Sequence, residues 1–331
     1  MKGLVRKVVL GVAAGIAVYV GFSIWANARD VGAALAQFDW TAALFGLALA
    51  AGNYAVRWVR WEYYLRRLGI RIDTRDSVLV FLAGFALTVT PGKLGEAVKA
   101  LLLRQSHGIS ATRTAPIVVA ERVTDLTALL VLALAGAFTL KVDRGFLGAG
   151  AIAVALALVL IGSERLGDRL LDLLARVGPL ERFIPKLRAS HRTAAQLLRP
   201  APLLMSTALS VAAWFLECLA FWMVVRGLPG ARLALPTATF IYSAMTVAGA
   251  LSFLPGGLGV TEAGMLALLG TFASGVGRGG AAAATFVTRA CTLWFAVAIG
   301  LAALMIYSRR PGAKPIDVTD GPSASTGVPA P

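Results

Sequence analysis

The stretch Pro91-Gly92-Lys93-Leu94-Gly95-Glu96-Ala97 returns later as Pro255-Gly256-Gly257-Leu258-Gly259-Val260-Thr261-Glu262-Ala263, with two extra residues before the glutamate. Proline lacks an amide proton and glycine adopts backbone angles closed to other residues, so each motif ends one helix and lets another begin. Both motifs interrupt apolar regions, 77–103 and 235–272, and each is followed by an apolar run with an embedded arginine, Arg122 or Arg289. The order of elements also repeats: two apolar runs, an interrupted region, then a further run. The repeat halves fall at about 1–140 and 145–310.

Outward from the motifs, six uninterrupted runs come close to the roughly 20 apolar residues that a spanning helix needs. They cover about 8–26, 41–59, 115–138, 146–162, 202–225 and 282–307. Of the 331 residues 58% are apolar and 15% charged, and the mean hydropathy is +0.75, so the expected solvent is a bilayer. The sequence therefore predicts an all-α polytopic integral membrane protein with six spanning helices and two Pro-Gly-interrupted hairpins. Three crossings per half is an odd number, so the second half enters the membrane upside down. Inverted repeats with broken helices are the plan of many transporters.

Residues 77–90 form a 14-residue arm, about 21 Å of helix against a hydrocarbon core of about 30 Å. Basic loops flank 77–103 on both sides, which predicts a re-entrant hairpin with its tip at Pro91 and Gly92. The second arm, 236–254, has 19 residues and is long enough to cross. It reads either as re-entrant or as reaching the opposite surface.

The formal charge of +15 is distributed asymmetrically between the runs. Lys2, Arg6 and Lys7 precede the first; Arg57, Arg60, Arg66, Arg67, Arg71 and Arg75 follow the second. Lys99, Arg104 and Arg113 precede the third, a basic stretch over 165–199 follows the fourth, and Arg309, Arg310 and Lys314 follow the last. The alternate loops hold Arg29, Lys141, Arg144, Arg226, Arg232 and Arg278. This positive-inside pattern predicts a multi-pass protein of the cytoplasmic (inner) membrane with both termini cytoplasmic, and removes the reason to infer a nucleic-acid partner. Ala26-Asn27-Ala28 resembles a signal-cleavage site, but the preceding run exceeds the usual 7–15-residue apolar core, so an uncleaved anchor is expected. Cys218 and Cys291 lie in apolar runs, and His107 and His191 stand in basic loops without metal-ligand spacing. Neither a disulfide, a metal nor a cofactor is expected.

The embedded polar residues admit two readings each. At both motifs a new helix starts with unpaired N–H groups, where an anion can bind and glycine lets a phosphate approach; Lys93 would add a charge. Alternatively, both motifs are tight turns. Glu96 and Glu262 either cap their helices or handle a proton or a substrate amine. Glu121, Arg122 and Asp125 share one helix, and Arg289 is embedded in the last run. Ionised groups in an apolar core need a partner or a cavity, so these residues either bind substrate or staple helices, Arg289 with Glu217 or Glu262. Glu217 has no local cation and requires a partner from elsewhere. Lys93, Arg122 and Arg289 stand against Glu96, Glu121, Asp125, Glu217 and Glu262, which predicts an acidic cavity suited to a zwitterionic or amine-bearing head group, or to proton coupling. The segment 163–199 alternates apolar and charged residues, as in an amphipathic helix on the cytoplasmic face or a solvated linker. Residues 311–331, rich in Pro, Gly, Ser and Ala, read as a disordered cytoplasmic tail.

The sequences PGKLGEAVKALLL (91–103), AERVTDLTALLVL (120–132) and FLPGGLGVTEAGMLALL (253–269) resemble the flippase-like family of the lysylphosphatidylglycerol synthase transmembrane region. The resemblance covers roughly 5–310, and it implies a lipid-translocating module with two hairpins around a central cavity. It extends to Pro91, Gly92, Gly95, Glu96, Glu121, Arg122, Asp125, Pro255, Gly256, Gly257, Gly259 and Glu262, whereas Lys93 occupies a position that varies. With no soluble aminoacyltransferase domain after Arg310, the chain is expected not to make aminoacylated lipid.

The leading expectation is a non-enzymatic lipid flippase or lipid-binding transporter. Its partners would be membrane lipids with a phosphate- or amine-bearing head group, with a lipid-synthesis enzyme or a second copy as further candidates. The alternatives are a membrane-embedded transferase or phosphatase of lipid-linked substrates, using Glu96, Glu121 and Asp125 as acid–base groups, and an ion-coupled small-solute transporter.

Overall fold

Asp39 and Asp73 each stand immediately before an apolar run and each accepts a hydrogen bond from a backbone amide two residues on, Thr41 N at 3.0 Å and Arg75 N at 2.9 Å. Such caps satisfy the orphan donors of a helix start, and they open two of the helices in this computed structural model. The structure describes residues 2–89, 95–138 and 184–309, with scattered positions between 140 and 172.

Among these residues the fold is all-helical. The first half contains α1 (Lys2–Trp25), α2 (Ala28–Ala36), α3 (Trp40–Arg67), α4 (Thr74–Ala83), which runs on into a 3₁₀ turn at Gly84–Leu87, α5 (Gly95–His107) and α6 (Ala111–Ala137). The second contains α7 (Ile184–Leu197), α8 (Pro200–Arg226), α9 (Leu235–Leu251), α10 (Val260–Phe272), α11 (Arg278–Arg289) and α12 (Phe295–Ser308). A five-residue π turn, Ala290–Trp294, joins the last two into one 31-residue rod.

Among the described residues three helices are long and apolar enough to cross a membrane: Trp40–Arg67, Pro200–Arg226 and Arg278–Ser308. They contain the expected runs 41–59, 202–225 and 282–307. The run 8–26 coincides with α1 apart from its last residue. α6 covers the run 115–138 except Phe138, with Glu121, Arg122 and Asp125 inside it. The run 146–162 lies largely outside the described residues, as do Lys141, Arg144 and the tail 311–331. Of the segment 163–199, α7 is helical and buries Ala194, Ala195 and Leu197 against α6; residues 173–183 are not described.

One boundary was misplaced by the sequence. The expected run 41–59 ends between Arg57 and Arg60, which read as loop charges; α3 continues to Arg67 and buries Arg60, Trp61, Tyr64 and Leu65. Those side chains fall at helical spacing from Ala50, Asn53 and Tyr54, so one face of the helix stays buried through the charged stretch.

The halves pack reciprocally. α6, last helix of the first half, lies along α9, while α12, last helix of the second, lies along α4 and its turn. α7 packs on α6 as α2 packs on α11, and α3 lies against α8. Glycine permits both close approaches. A Cβ on Gly136 would lie 2.4 Å from the Pro236 carbonyl oxygen, and one on Gly300 would lie 2.3 Å from the Ala86 nitrogen.

The flanks of each interrupted region meet each other, those of the first at one end of the molecule and those of the second at the opposite end. His107 at the end of α5 meets Asp76 near the start of α4, Nε2 to Oδ2 3.4 Å. Ser274, just after α10, exchanges two backbone hydrogen bonds with Arg232, just before α9, at 2.9 and 3.0 Å. The second interrupted region is therefore a closed hairpin. At its inner end Gly256, Gly257 and Gly259 have φ of 61°, 67° and 88°, a region L side chains rarely enter. Residues 90–94 of the first, including Pro91, Gly92 and Lys93, lie outside the described residues. Gly95 and Glu96 open α5, with their side chains also undescribed.

Candidate functional site

Two apolar cores hold the helices together. One gathers the later parts of α6 and α8 with α9, α10 and α11; the other gathers α4, α5 and the later part of α3 with the start of α6 and with α12. Where they meet, a partly open cavity of about 980 Å³, its mouth included, is lined by members of both, among them Tyr54, Phe85 and Tyr242, and by Leu293 of a smaller third cluster.

The cavity wall carries charge. Among the described residues it presents Arg57, Lys99, Arg122 and Arg289, against the single carboxylate of Glu217. Their counter-charges stand behind the wall. Lys99 Nζ lies 2.5 Å from Glu121 Oε2, with 5% of the lysine side chain exposed and 1% of the glutamate's. Arg289 Nε donates to Glu262 Oε1 at 2.6 Å, and its Nη2 donates to the Gly256 carbonyl at 2.6 Å. Glu262 Oε2 also accepts from the Gly259 amide at 2.7 Å, so this carboxylate caps α10 and pairs with α11 at once.

Asp125 is the crowded centre. Its Oδ1 accepts from Arg60 Nη1 at 2.5 Å, while Arg57 and Arg122 each approach Oδ2 at 3.5 Å. Arg60 is fully buried and also donates to Ser210 of α8 and to Thr124 of α6, tying three helices together. Arg57 lies between two rings, its guanidinium carbon 5.4 Å from the Phe85 centroid and 5.6 Å from that of Trp214. On the far wall, the Tyr242 hydroxyl donates to Glu217 Oε2 at 2.5 Å. A buried carboxylate without a hydrogen-bond donor would be costly, and this is the partner from elsewhere that Glu217 required.

Of the residues singled out in the sequence, Arg122, Glu217, Gly256, Gly257 and Arg289 line the cavity. Glu121, Asp125 and Glu262 stand behind it as partners of the lining cations; Pro255 and Gly259 shape the turn without lining it. The cavity was expected to be acidic; among the described residues Glu121, Asp125 and Glu262 face helix partners and Glu217 lines the cavity beside four cations, while Lys93 and the Glu96 side chain lie outside the described residues. Arg57 and Lys99 had been counted as loop charges that mark sidedness, and both belong to the wall. Tyr54, Trp214 and Tyr242 also line the cavity, and as aromatic residues in apolar runs they carry no sequence signal of a site. For Arg57 the available signal was the buried stripe running through Tyr54, Arg57, Arg60 and Tyr64.

The sequence model described as the lysylphosphatidylglycerol synthase transmembrane region matches residues 12–300. A UPF0104 membrane protein of Methanothermobacter thermautotrophicus is 26% identical over 306 residues, which is 87% of this chain and 90% of that relative. The match spans both interrupted regions and every residue that lines the cavity, and the chain is a membrane protein belonging to the family of the lysylphosphatidylglycerol synthase transmembrane region.

Proposed function

We propose that the protein is a flippase-like lipid carrier of the cytoplasmic membrane. A phospholipid or isoprenoid-linked head group would sit in the charged cavity while its tails stay in the bilayer, and rocking of the two halves would expose it to one side and then the other. Six spans and two re-entrant hairpins in an inverted repeat belong to this reading, and the reciprocal packing of α6 on α9 and α12 on α4 supports them. The observation that carries it is the cavity itself: charges drawn from α3, α5, α6, α8 and α11 converge on one opening between the halves. Buried charge of this kind is expensive at membrane depth and marks a binding site more often than a staple. Water-filled or ligand-filled space is also where non-helical backbone such as Pro255–Gly257 is tolerated.

The test is transport of a fluorescent head-group lipid in reconstituted vesicles. The wild type should move it, and an Arg122→Ala/Arg289→Ala variant should slow the initial rate about tenfold or more, as loss of two charge-assisted contacts implies. Equal rates in the two proteins would reject the mechanism.

A further inference from the structure

We propose that Arg57 is a head-group recognition residue and that the cavity takes a phosphate-bearing anionic head group without a compensating amine. This rests on the lipid-carrier reading and adds to it the charge class of the cargo and the residue that reads it.

Three observations converge on Arg57. First, its guanidinium is placed and stiffened in the wall: 12% of the side chain is exposed, and the rings of Phe85 and Trp214 flank it at 5.4 and 5.6 Å. Stacking of this kind removes much of the rotamer freedom that binding would otherwise have to freeze. Second, its counter-charge is shared. Asp125 gives Oδ1 to Arg60 at 2.5 Å, and the Arg57 contact to Oδ2, at 3.5 Å, is longer than the 2.7–2.9 Å typical of charge-assisted hydrogen bonds. Arg57 Nε is buried and makes no hydrogen bond with the described residues. Third, the neighbouring wall repeats the sign: Lys99, Arg122 and Arg289 are among its lining residues, Lys99 and Arg289 each held by a carboxylate behind the wall, and Glu217 is committed to the Tyr242 hydroxyl.

A planar guanidinium with unused donors matches two oxygens of a phosphate, a geometry lysine cannot reproduce. Among the described residues an ammonium group on the cargo would meet four lining cations and one lining carboxylate, the carboxylates of Glu121, Asp125 and Glu262 being already paired behind the wall, which disfavours amine-bearing head groups.

The purified full chain in detergent, probed by thermal unfolding and native mass spectrometry with lipid added at equal mole fraction, tests this. Phosphatidic acid should stabilise and co-purify with the wild type about tenfold more effectively than phosphatidylcholine, consistent with charged hydrogen bonds. Arg57→Gln should abolish the preference. Arg57→Lys, which keeps the charge opposite Asp125, should fold like the wild type by circular dichroism and retain part of it. If Arg57→Gln does not fold, Arg57→Lys carries the test, and an undiminished preference in it overturns the role of Arg57. Equal binding of both lipids by the wild type overturns the anion class.

Inorganic pyrophosphate forms a separate arm. Stabilisation by pyrophosphate with none by phosphatidic acid would keep the anion site and reject a lipid as its source. Phosphatidic acid preference without any transport in vesicles would reject translocation and leave this inference standing. Transport indifferent to head-group charge and to Arg57→Lys would do the reverse.

Discussion

Asp125 gathers three guanidiniums, those of Arg57, Arg60 and Arg122, around one carboxylate. Each of those cations loses hydration in the folded protein, so removing the common anion leaves Arg60 buried and uncompensated. Breaking such a cluster typically costs about 3–5 kcal/mol, because the surviving charge cannot leave for water. Asp125→Asn should therefore lower the thermal unfolding midpoint in detergent sharply. Arg122→Gln should lower it much less, since 30% of the Arg122 side chain is exposed. Equal shifts would mean that Asp125 is not the centre of the cluster. The pair Glu262–Arg289 allows a cleaner separation of stability from function. An apolar pair of similar volume often replaces a buried ion pair at little cost. Glu262→Leu/Arg289→Met should hence unfold within a few degrees of the wild type and yet lose transport. Retained transport would make the pair a staple. At this scale the sequence exposed the acidic side of the network and hid half of the basic side. Glu121, Asp125 and Glu262 stood out because a carboxylate in an apolar run has no bland explanation, whereas Arg57, Arg60 and Lys99 sat at run ends, where the positive-inside pattern already accounted for them. Glu217 was legible as a residue in need of a partner, but Tyr242, 25 positions away on another helix, was not.

Between elements, the close contacts are made by backbone. Gly136 lets α6 settle on α9, and Gly300 lets α12 settle on the turn after α4; in each, the atoms in the way of a Cβ are largely main-chain atoms that cannot swing aside. Overpacking such a contact typically costs about 1–3 kcal/mol. Gly136→Ala and Gly300→Ala should each destabilise by that order, and, because these contacts join opposite halves, each should slow transport beyond what lost stability explains. Gly21→Ala is the control: none of the described residues lies within 4 Å of the Cβ it would gain, and it should behave as wild type. Unfolding midpoints and transport rates of the three variants would show whether the contacts matter as drawn. The break in helix after Leu251 was readable from Pro-Gly. The reciprocal partners of the helices were not, because a 3.6-residue apolar period names a buried face without naming what covers it.

Taken whole, the molecule has two ends that differ in charge. At one, the Asp39 amide donates to the Gly227 carbonyl at 2.9 Å, and the Arg232–Ser274 bridge closes the second hairpin. At the other, Arg113 donates to the Leu68 carbonyl, Ser190 to the Thr112 carbonyl at 3.3 Å, and Tyr307 reaches Ser106. The second end carries Arg66, Arg67, Arg71, Arg104, Arg113 and Arg309, while the first is served by Arg29, Arg226, Arg232 and Arg278. Helices as long as α3, 28 residues or about 42 Å, are long enough to hold these ends on opposite sides of a bilayer. The charge bias then sets which end faces the cytoplasm. Both native cysteines are buried, so Cys218→Ala/Cys291→Ala gives a background for single reporters. In intact cells an impermeant thiol reagent should modify Asp30→Cys and Ala231→Cys. It should reach Asp73→Cys and Ser190→Cys only after permeabilisation. Modification of all four from one side would leave α3 and α8 unable to span, and with them would go the two oppositely inserted halves on which a shuttling cavity depends.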